Sequence, residues 1–362
     1  MESSVMEVGS EQTQDMVRMQ AVEGESVFPL FRVVFGEAAE STIRKTWQWK
    51  YLQSPFMPGN GPRMFIAYHA GEIVGFHGAI PGRLKIGKEE YPLVWGADYA
   101  VDPKHRGRGI RLMRAFIAQQ ADVIKMGTPI GRAYELEKKI GCADVATLFA
   151  FRRILKPSRF FAEARPVVKI SFTLLVGLAN LCVDILSFFS KGADITVDHV
   201  EELGTEFDDF WETVKNDYEA ITVRSRVFLQ WRFLQCPHVK YSILGARRAR
   251  KLVGYLVLRI RENGAIREGN VVDVLTAKND TPVFSRLMGT ALSEMREHGV
   301  HSATFVSTDS QEMYRRILRK SGFLIKKKRL PVIYGEYGLG TELLPQVKEW
   351  FLTAADSDFD ME

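Results

Sequence analysis

The segment Val94-Trp95-Gly96-Ala97-Asp98-Tyr99-Ala100-Val101-Asp102-Pro103-Lys104-His105-Arg106-Gly107-Arg108-Gly109-Ile110-Arg111-Leu112-Met113 decides how the rest of the chain is read. Apolar and small residues lead to Val101, a proline follows, two glycines sit among three arginines, and Leu112 and Met113 open an apolar helical pattern. This reads as a strand, a basic turn and the first turn of a helix. Glycines let the backbone come close to a ligand, and a new helix presents N–H groups that have no partner within it. Such a corner suits phosphate, and Arg106, Arg108 and Arg111 bias it towards a polyanion such as pyrophosphate.

The same residues, Val101-x-Pro103-x-x-Arg106-Gly107-x-Gly109-Ile110 followed by Leu112, Met113 and Phe116, resemble the acetyl-CoA loop of the GNAT acetyltransferase superfamily. That loop has the pattern Arg/Gln-x-x-Gly-x-Gly/Ala, and Arg106, Gly109 and Arg111 stand at its three defined positions. Arg111 departs from the small residue expected. The resemblance implies acetyl-CoA as co-substrate, held through Val101, Arg106, Gly107, Arg108, Gly109, Ile110 and Arg111. It also implies transfer of an acetyl group to an amine acceptor, a small metabolite or an amino sugar, by direct attack.

With 362 residues and 46% apolar composition, the chain is long enough for two globular domains. A net charge of +5 does not demand a nucleic-acid partner. Cys142, Cys182 and Cys236 are scattered, without the spacing of a zinc site or a disulfide framework. No metal is expected, and a cytoplasmic location fits best. The first twenty residues carry Glu2, Glu7, Glu11 and Asp15 and do not resemble a secretory signal.

Helical periodicity runs from Phe28 to Leu52, strands from Met64 to Tyr68 and Ile73 to Ile80 around a turn at Ala70-Gly71, and a longer strand from Tyr91 to Val101. Helices are expected over Ile110 to Lys125 and Arg132 to Lys139, the latter stopped by Gly141, with a closing strand from Ala146 to Leu155. The second half repeats this order. Trp49-Lys50-Tyr51-Leu52-Gln53-Ser54-Pro55 returns as Trp231-Arg232-Phe233-Leu234-Gln235-Cys236-Pro237, Val74-Gly75-Phe76 as Val253-Gly254-Tyr255, and Arg111-Leu112-Met113 as Arg286-Leu287-Met288. Asp98 finds Asp273 and Gly141 finds Gly322. A tandem duplication follows. The second copy has Thr281-Pro282-Val283-Phe284-Ser285 in place of the basic turn, which predicts one CoA site per chain.

The fold class expected is therefore α+β, with two tandem GNAT-like domains, each a mixed, mostly antiparallel sheet with helices packed on it. The boundaries expected are a flexible N-terminus over 1–20, a first domain with the acetyl-CoA loop over 21–156, an apolar helical linker over 157–196, a degenerate second domain over 197–340 and a tail over 341–362. Within the linker, Ser171 to Ser190 carries one charge, Asp184. It is read as a helix buried between domains or in a homodimer, the other reading being contact with a membrane surface as a peripheral protein.

Acyl transfer to an amine needs a base for the amine, a donor for the developing oxyanion and a proton for the leaving thiolate. Resemblance assigns the oxyanion donor to the strand before the loop, at Val101. Asp98 and His77 are the candidates for the base. The family often places a tyrosine acid four residues before the glycine ending its last helix; that position is Glu137 here, and Tyr134 is the substitute considered. Two other readings are an aminoacyl-transferase-like protein using charged tRNA and a non-catalytic CoA-binding or interaction protein.

Overall fold

The computed structural model describes residues 16–59, 61–156, 177, 194–308, 311–335, 338–358 and 360. Its first repeat runs β1 (Met16–Met19), α1 (Gly24–Phe35), α2 (Glu37–Leu52), β2 (Met64–His69), β3 (Glu72–Ile86), β4 (Glu89–Val101), a 3₁₀ turn (Pro103–Arg108), α3 (Gly109–Ala118), β5 (Ile124–Gly127), α4 (Arg132–Lys139) and β6 (Cys142–Ile154). The second repeat follows the same order: β7 (Ile195–His199), α5 (Glu206–Val214), a short β8 (Ala220–Thr222), and α6 (Arg226–Leu229) continuing as a π-helical turn over Gln230–Leu234. Then come β9 (Ser242–Arg248), β10 (Lys251–Asn263), β11 (Ile266–Thr276), α7 (Thr281–Glu297), β12 (Ser302–Thr308), α8 (Glu312–Lys320), β13 (Leu324–Gly335) and β14 (Trp350–Phe351).

Local sequence explains most boundaries. Gly36, at φ +88°, divides the expected single helix into α1 and α2. The β2–β3 turn places Ala70 and Gly71 in the left-handed region, and the β9–β10 turn does the same with Ala249 and Arg250, so the tight hairpin is kept in both repeats. One expectation is corrected: α3 ends at Ala118 rather than Lys125, and Ile124–Gly127 is the strand β5. Periodicity missed it because four apolar-rich residues at the end of a helix do not distinguish the two periods.

The strands form one sheet in the order β1-β2-β3-β4-β5-β13-β6-β12-β11-β10-β9-β7, parallel at β4–β5 and β11–β12 and otherwise antiparallel along this path. Its centre is an exchange. The last strand of the second repeat, β13, lies between β5 and β6, and the last strand of the first, β6, pairs with β12. Each repeat is therefore completed by a strand of the other. Of the segment 341–362, expected as a tail, the described residues 341–358 and 360 instead run back into the core: Trp350, Phe351, Leu352, Ala354 and Ala355 are buried, and β14 pairs with β8. The apolar stretch Ser171 to Ser190 lies outside the described residues but for Gly177; among those described, no helix is long and apolar enough to cross a membrane.

The repeated tryptophans meet across the interface of the two repeats. The Trp49 and Trp231 rings stack at 4.7 Å between centroids; Trp49 Nε1 donates to the Trp231 carbonyl at 2.7 Å, and Trp231 Nε1 to the Trp49 carbonyl at 3.0 Å. Burying both indoles with their N–H groups satisfied combines apolar burial with stacking. Trp49→Ala and Trp231→Ala should each destabilise the chain by about 3–5 kcal/mol. The double variant should fall short of the sum by about 0.5–3 kcal/mol, read from denaturant unfolding; strictly additive losses would mean the two rings act independently.

Candidate functional site

The basic turn is built as the sequence suggests. The Asp102 N–H donates to the Val74 carbonyl, and its carboxylate caps the turn by accepting from the Lys104 N–H at 2.7 Å. Residues 103–108 make a 3₁₀ turn, and α3 then starts with no side chain capping its N-terminus. Gly109 is constrained by packing, since a Cβ there would stand 2.4 Å from Tyr99 Oη; Gly107 faces open space. Arg106, Ile110 and Arg111 are exposed around these amides. Arg108 is held differently: its guanidinium reaches His105 Nδ1 at 3.1 Å and His69 Nδ1 at 2.7 Å. In the second repeat the equivalent helix start is closed by its own chain, because the Asp280 carboxylate accepts from the Val283 N–H and Pro282 has no N–H to offer.

β4 and β5 pair only from Leu93–Ile124 to Trp95–Met126, while β4 continues to Val101. Beyond Trp95 the two strands part, and Gly96, Ala97, Asp98 and Tyr99 line a cavity of about 1130 Å³. Because the Asp102 N–H points across to β3, strand alternation turns the Val101 N–H to the opposite side, where β4 has parted from β5. The far walls come from the α1–α2 corner, from β5 and α4, and from the second repeat.

Asp98 sits on a bulge in β4 at φ +51°, where the β3–β4 register slips between Phe76 and Gly78. Its Oδ2 accepts from Lys50 Nζ at 2.9 Å and from the Tyr51 hydroxyl at 2.6 Å; no hydrogen bond reaches Oδ1 among the described residues. Burial and then Asp98 push the Tyr51 phenol far above its usual value, so it stays a donor. Burial opposes the Lys50 charge, but Asp358 at 2.8 Å and Asp98 outweigh it and hold the ammonium protonated. The repeat partner, Asp273, is wholly enclosed. Arg224 and Thr353 occupy its Oδ1, and Arg224 and Tyr255 its Oδ2.

His77 also lines the cavity, stacked on Phe116 at 3.9 Å, and burial lowers its pKa to about 3. It is neutral at physiological pH and takes up a proton poorly. Tyr134 faces another way: its hydroxyl donates to the Asp144 carboxylate at 3.1 and 3.3 Å beside Lys138, and it does not line the cavity. Glu137, three residues along α4, does. The residue as a whole is half-buried, but loss of hydration at its carboxyl raises its pKa to about 8. The nearby Tyr99 phenol is pushed up to about 12 by burial and then by Glu137. Lys50, Tyr51 and Asp358 were not reached from sequence. The alternating Asp356-x-Asp358-x-Asp360 was the available signal, for these meet Arg224, Lys50 and Arg232 in turn.

Residues 16–135 match the family model described as an acetyltransferase (GNAT) domain. No match to the chain is found among curated protein sequences. Among solved structures, a probable N-acyltransferase of unknown function from Enterococcus faecalis is similar at 14% identity, TM-score 0.59, over 89% of this chain and 72% of that one. A GCN5-related N-acetyltransferase from Anabaena variabilis is similar at 13% identity, TM-score 0.59, over 88% and 72%. The Saccharomyces cerevisiae N-myristoyltransferase with bound myristoyl-CoA follows at 12% identity, TM-score 0.56, over 90% and 85%. At these identities the likeness concerns the fold, and it extends through both repeats. The uncapped α3 start and the parting of β4 from β5 both lie within the matched acetyltransferase (GNAT) domain.

Proposed function

We propose that the chain transfers an acyl group, acetyl in the simplest case, from a CoA thioester to an amine. The observation that carries this reading is that one cavity runs along β4 where it leaves β5, just before the open N-terminus of α3. The backbone N–H groups from Gly107 to Arg111 would hold the pyrophosphate, with Arg106 and Arg111 adding charge. Arg108, anchored on His69 and His105, would brace the turn. Bound CoA supplies the activated thioester. The Val101 N–H would face its carbonyl and stabilise the charge that develops there. Asp98 Oδ1 would take the proton of the incoming amine, with Lys50 and Tyr51 fixing the other oxygen. Glu137 would supply a proton to the leaving sulfur, in place of the candidate Tyr134.

Gly107→Ala tests the cradle. A methyl group fits there in the free protein, so thermal stability should hold while acetyl-CoA affinity falls by about tenfold or more. Calorimetry showing undiminished affinity, or two equivalent sites per chain, would contradict the assignment.

Glu137 sets a pH dependence. Its folded-state pKa of about 8 lies above the ordinary 4.5, so the carboxyl carries a proton at pH 7 and loses it as the pH rises through about 8. Turnover should therefore decline on the alkaline side. Glu137→Gln should abolish that decline and lower kcat by about 10²–10⁴-fold; an unchanged profile would remove Glu137 from the reaction.

Asp98 and Asp273 make an internal comparison. Asp98→Asn should depress turnover by about 10²-fold or more with little change in melting temperature. Asp273→Asn, by removing one of the two carboxylates paired with the buried Arg224, should destabilise by about 3–5 kcal/mol. If both variants lose stability alike and the pH profile of Asp98→Asn is unshifted, Asp98 is structural.

A further inference from the structure

The cavity follows α2 along most of its length. Ala38, Thr42, Thr46 and Lys50 line it at four-residue intervals, with Ala39 and Ile43 beside them, so one face of the helix forms its wall. From Ala38 to Lys50 that face runs about 18 Å. It descends as it goes: Ala38 is exposed, Thr42 is half-buried, and Thr46 and Lys50 are enclosed, the last beside Asp98. The short side chains leave room without offering donors. Thr42 Oγ1 donates to the Ala38 carbonyl at 3.2 Å, and Thr46 Oγ1 to those of Thr42 and Ile43 at 3.1 and 3.2 Å, so both hydroxyl protons are engaged within the helix. Glu40 and Arg44 pair with each other and do not line the cavity. Apart from Lys50, the basic residues of the lining stand on other elements.

Two further observations describe the interior. Phe35, at the end of α1, and Ile130, before α4, are exposed apolar residues that line the cavity. Burial alone holds His77 uncharged and raises the Glu137 carboxyl to about 8, so the space these two share is poorly hydrated. At about 1130 Å³, the cavity exceeds the roughly 300–1,000 Å³ of ordinary small-molecule sites, and an acetyl group would leave most of it unfilled. A polar ligand laid along α2 would give up water and meet no donor there, whereas a hydrocarbon gives up nothing and gains by burial.

We propose that one substrate carries a long unbranched aliphatic chain, which lies along α2 with its reacting end at Lys50 and Asp98 and its tail at the α1–α2 corner. The chain belongs either to the acyl group of the thioester or to the amine; the chemistry that recognises it is the same. This rests on the acyl-transfer reading above and deepens it by naming the substrate class.

The test uses the full chain and two series of ligands, read by calorimetry below their micellar concentrations. One is acetyl-, butanoyl-, octanoyl- and dodecanoyl-CoA; the other, with CoA present, is ethylamine, butylamine, octylamine and dodecylamine. Affinity should rise by about two- to fourfold per added methylene in one series, and which series rises assigns the chain to donor or acceptor. Two variants locate it. Thr42→Phe and Ala38→Trp put bulk at successive depths, so the rise should stop at a shorter chain in both, and sooner in Thr42→Phe than in Ala38→Trp. Release of free CoA from each thioester with each amine is followed separately. Length-dependent binding that the variants shorten, without turnover of any pair, would uphold the chain site and overturn the transfer reading. Affinity that does not change with length in either series would overturn the chain site, whether or not acetyl is transferred. So would a rise that both variants leave intact, since the chain would then lie away from α2.

Discussion

The reciprocal clasp of Trp49 and Trp231 is the contact on which the remaining geometry depends. Each indole is packed against the other, and each N–H ends on the other's backbone carbonyl. The arrangement is self-consistent only if the two repeats meet about an approximate two-fold relation at this point. The exchange of β6 and β13 in the sheet obeys the same relation. A chain duplicated in this way cannot separate into two bodies without breaking both a sheet ladder and a buried aromatic pair. The cavity, whose walls come from both repeats, inherits its rigidity from that junction.

The residues beside the tryptophans show how the symmetry is used. Lys50 and Arg232 occupy equivalent positions, and the returning C-terminal segment places Asp358 on the first and Asp360 on the second. Arg224 takes Asp356 and Asp273 in the same run. Lys50, Arg224 and Arg232 are tolerated in the interior because each meets a carboxylate. The acidic alternation thus fastens the end of the chain to both repeats and delivers one carboxylate, Asp358, to the cavity.

Much of this was legible in residues and some was not, for physical reasons. The duplication, the hairpin turns and the basic turn before α3 depend on local geometry, which glycine placement and apolar periodicity encode directly. The inward course of the C-terminal segment depends on ion pairs between residues more than a hundred positions apart, and composition alone makes it look like a solvated tail. The order β5-β13-β6-β12 is equally non-local; nothing in β13 itself says that its neighbours belong to the other repeat. Tyr134 was the substitute considered for the acid, but the helix turns it to Asp144 and presents Glu137 to the cavity. Residue type suggests an acid, whereas the helical face decides which acid is in place.

Asp98 and Asp273, at matching positions of the two copies, differ in how fully the protein encloses them. Asp273 has both oxygens engaged, no exposure, and around it a buried arginine, tyrosine and threonine; the neighbouring helix start is capped by Asp280 and blocked by Pro282. Every polar group there has been satisfied by protein, which favours stability and leaves nothing for a ligand to do. At Asp98 a similar cation–tyrosine pair engages only one oxygen, and the helix start beyond it is left open. Satisfying Oδ1 or capping α3 from within would each add a hydrogen bond to the folded state. The first repeat forgoes both at one corner, where β4 parts from β5 and a cavity reaches Asp98. Unmet hydrogen-bonding capacity, concentrated in the copy that kept the basic turn, is the physical difference between a site and a scaffold in this fold.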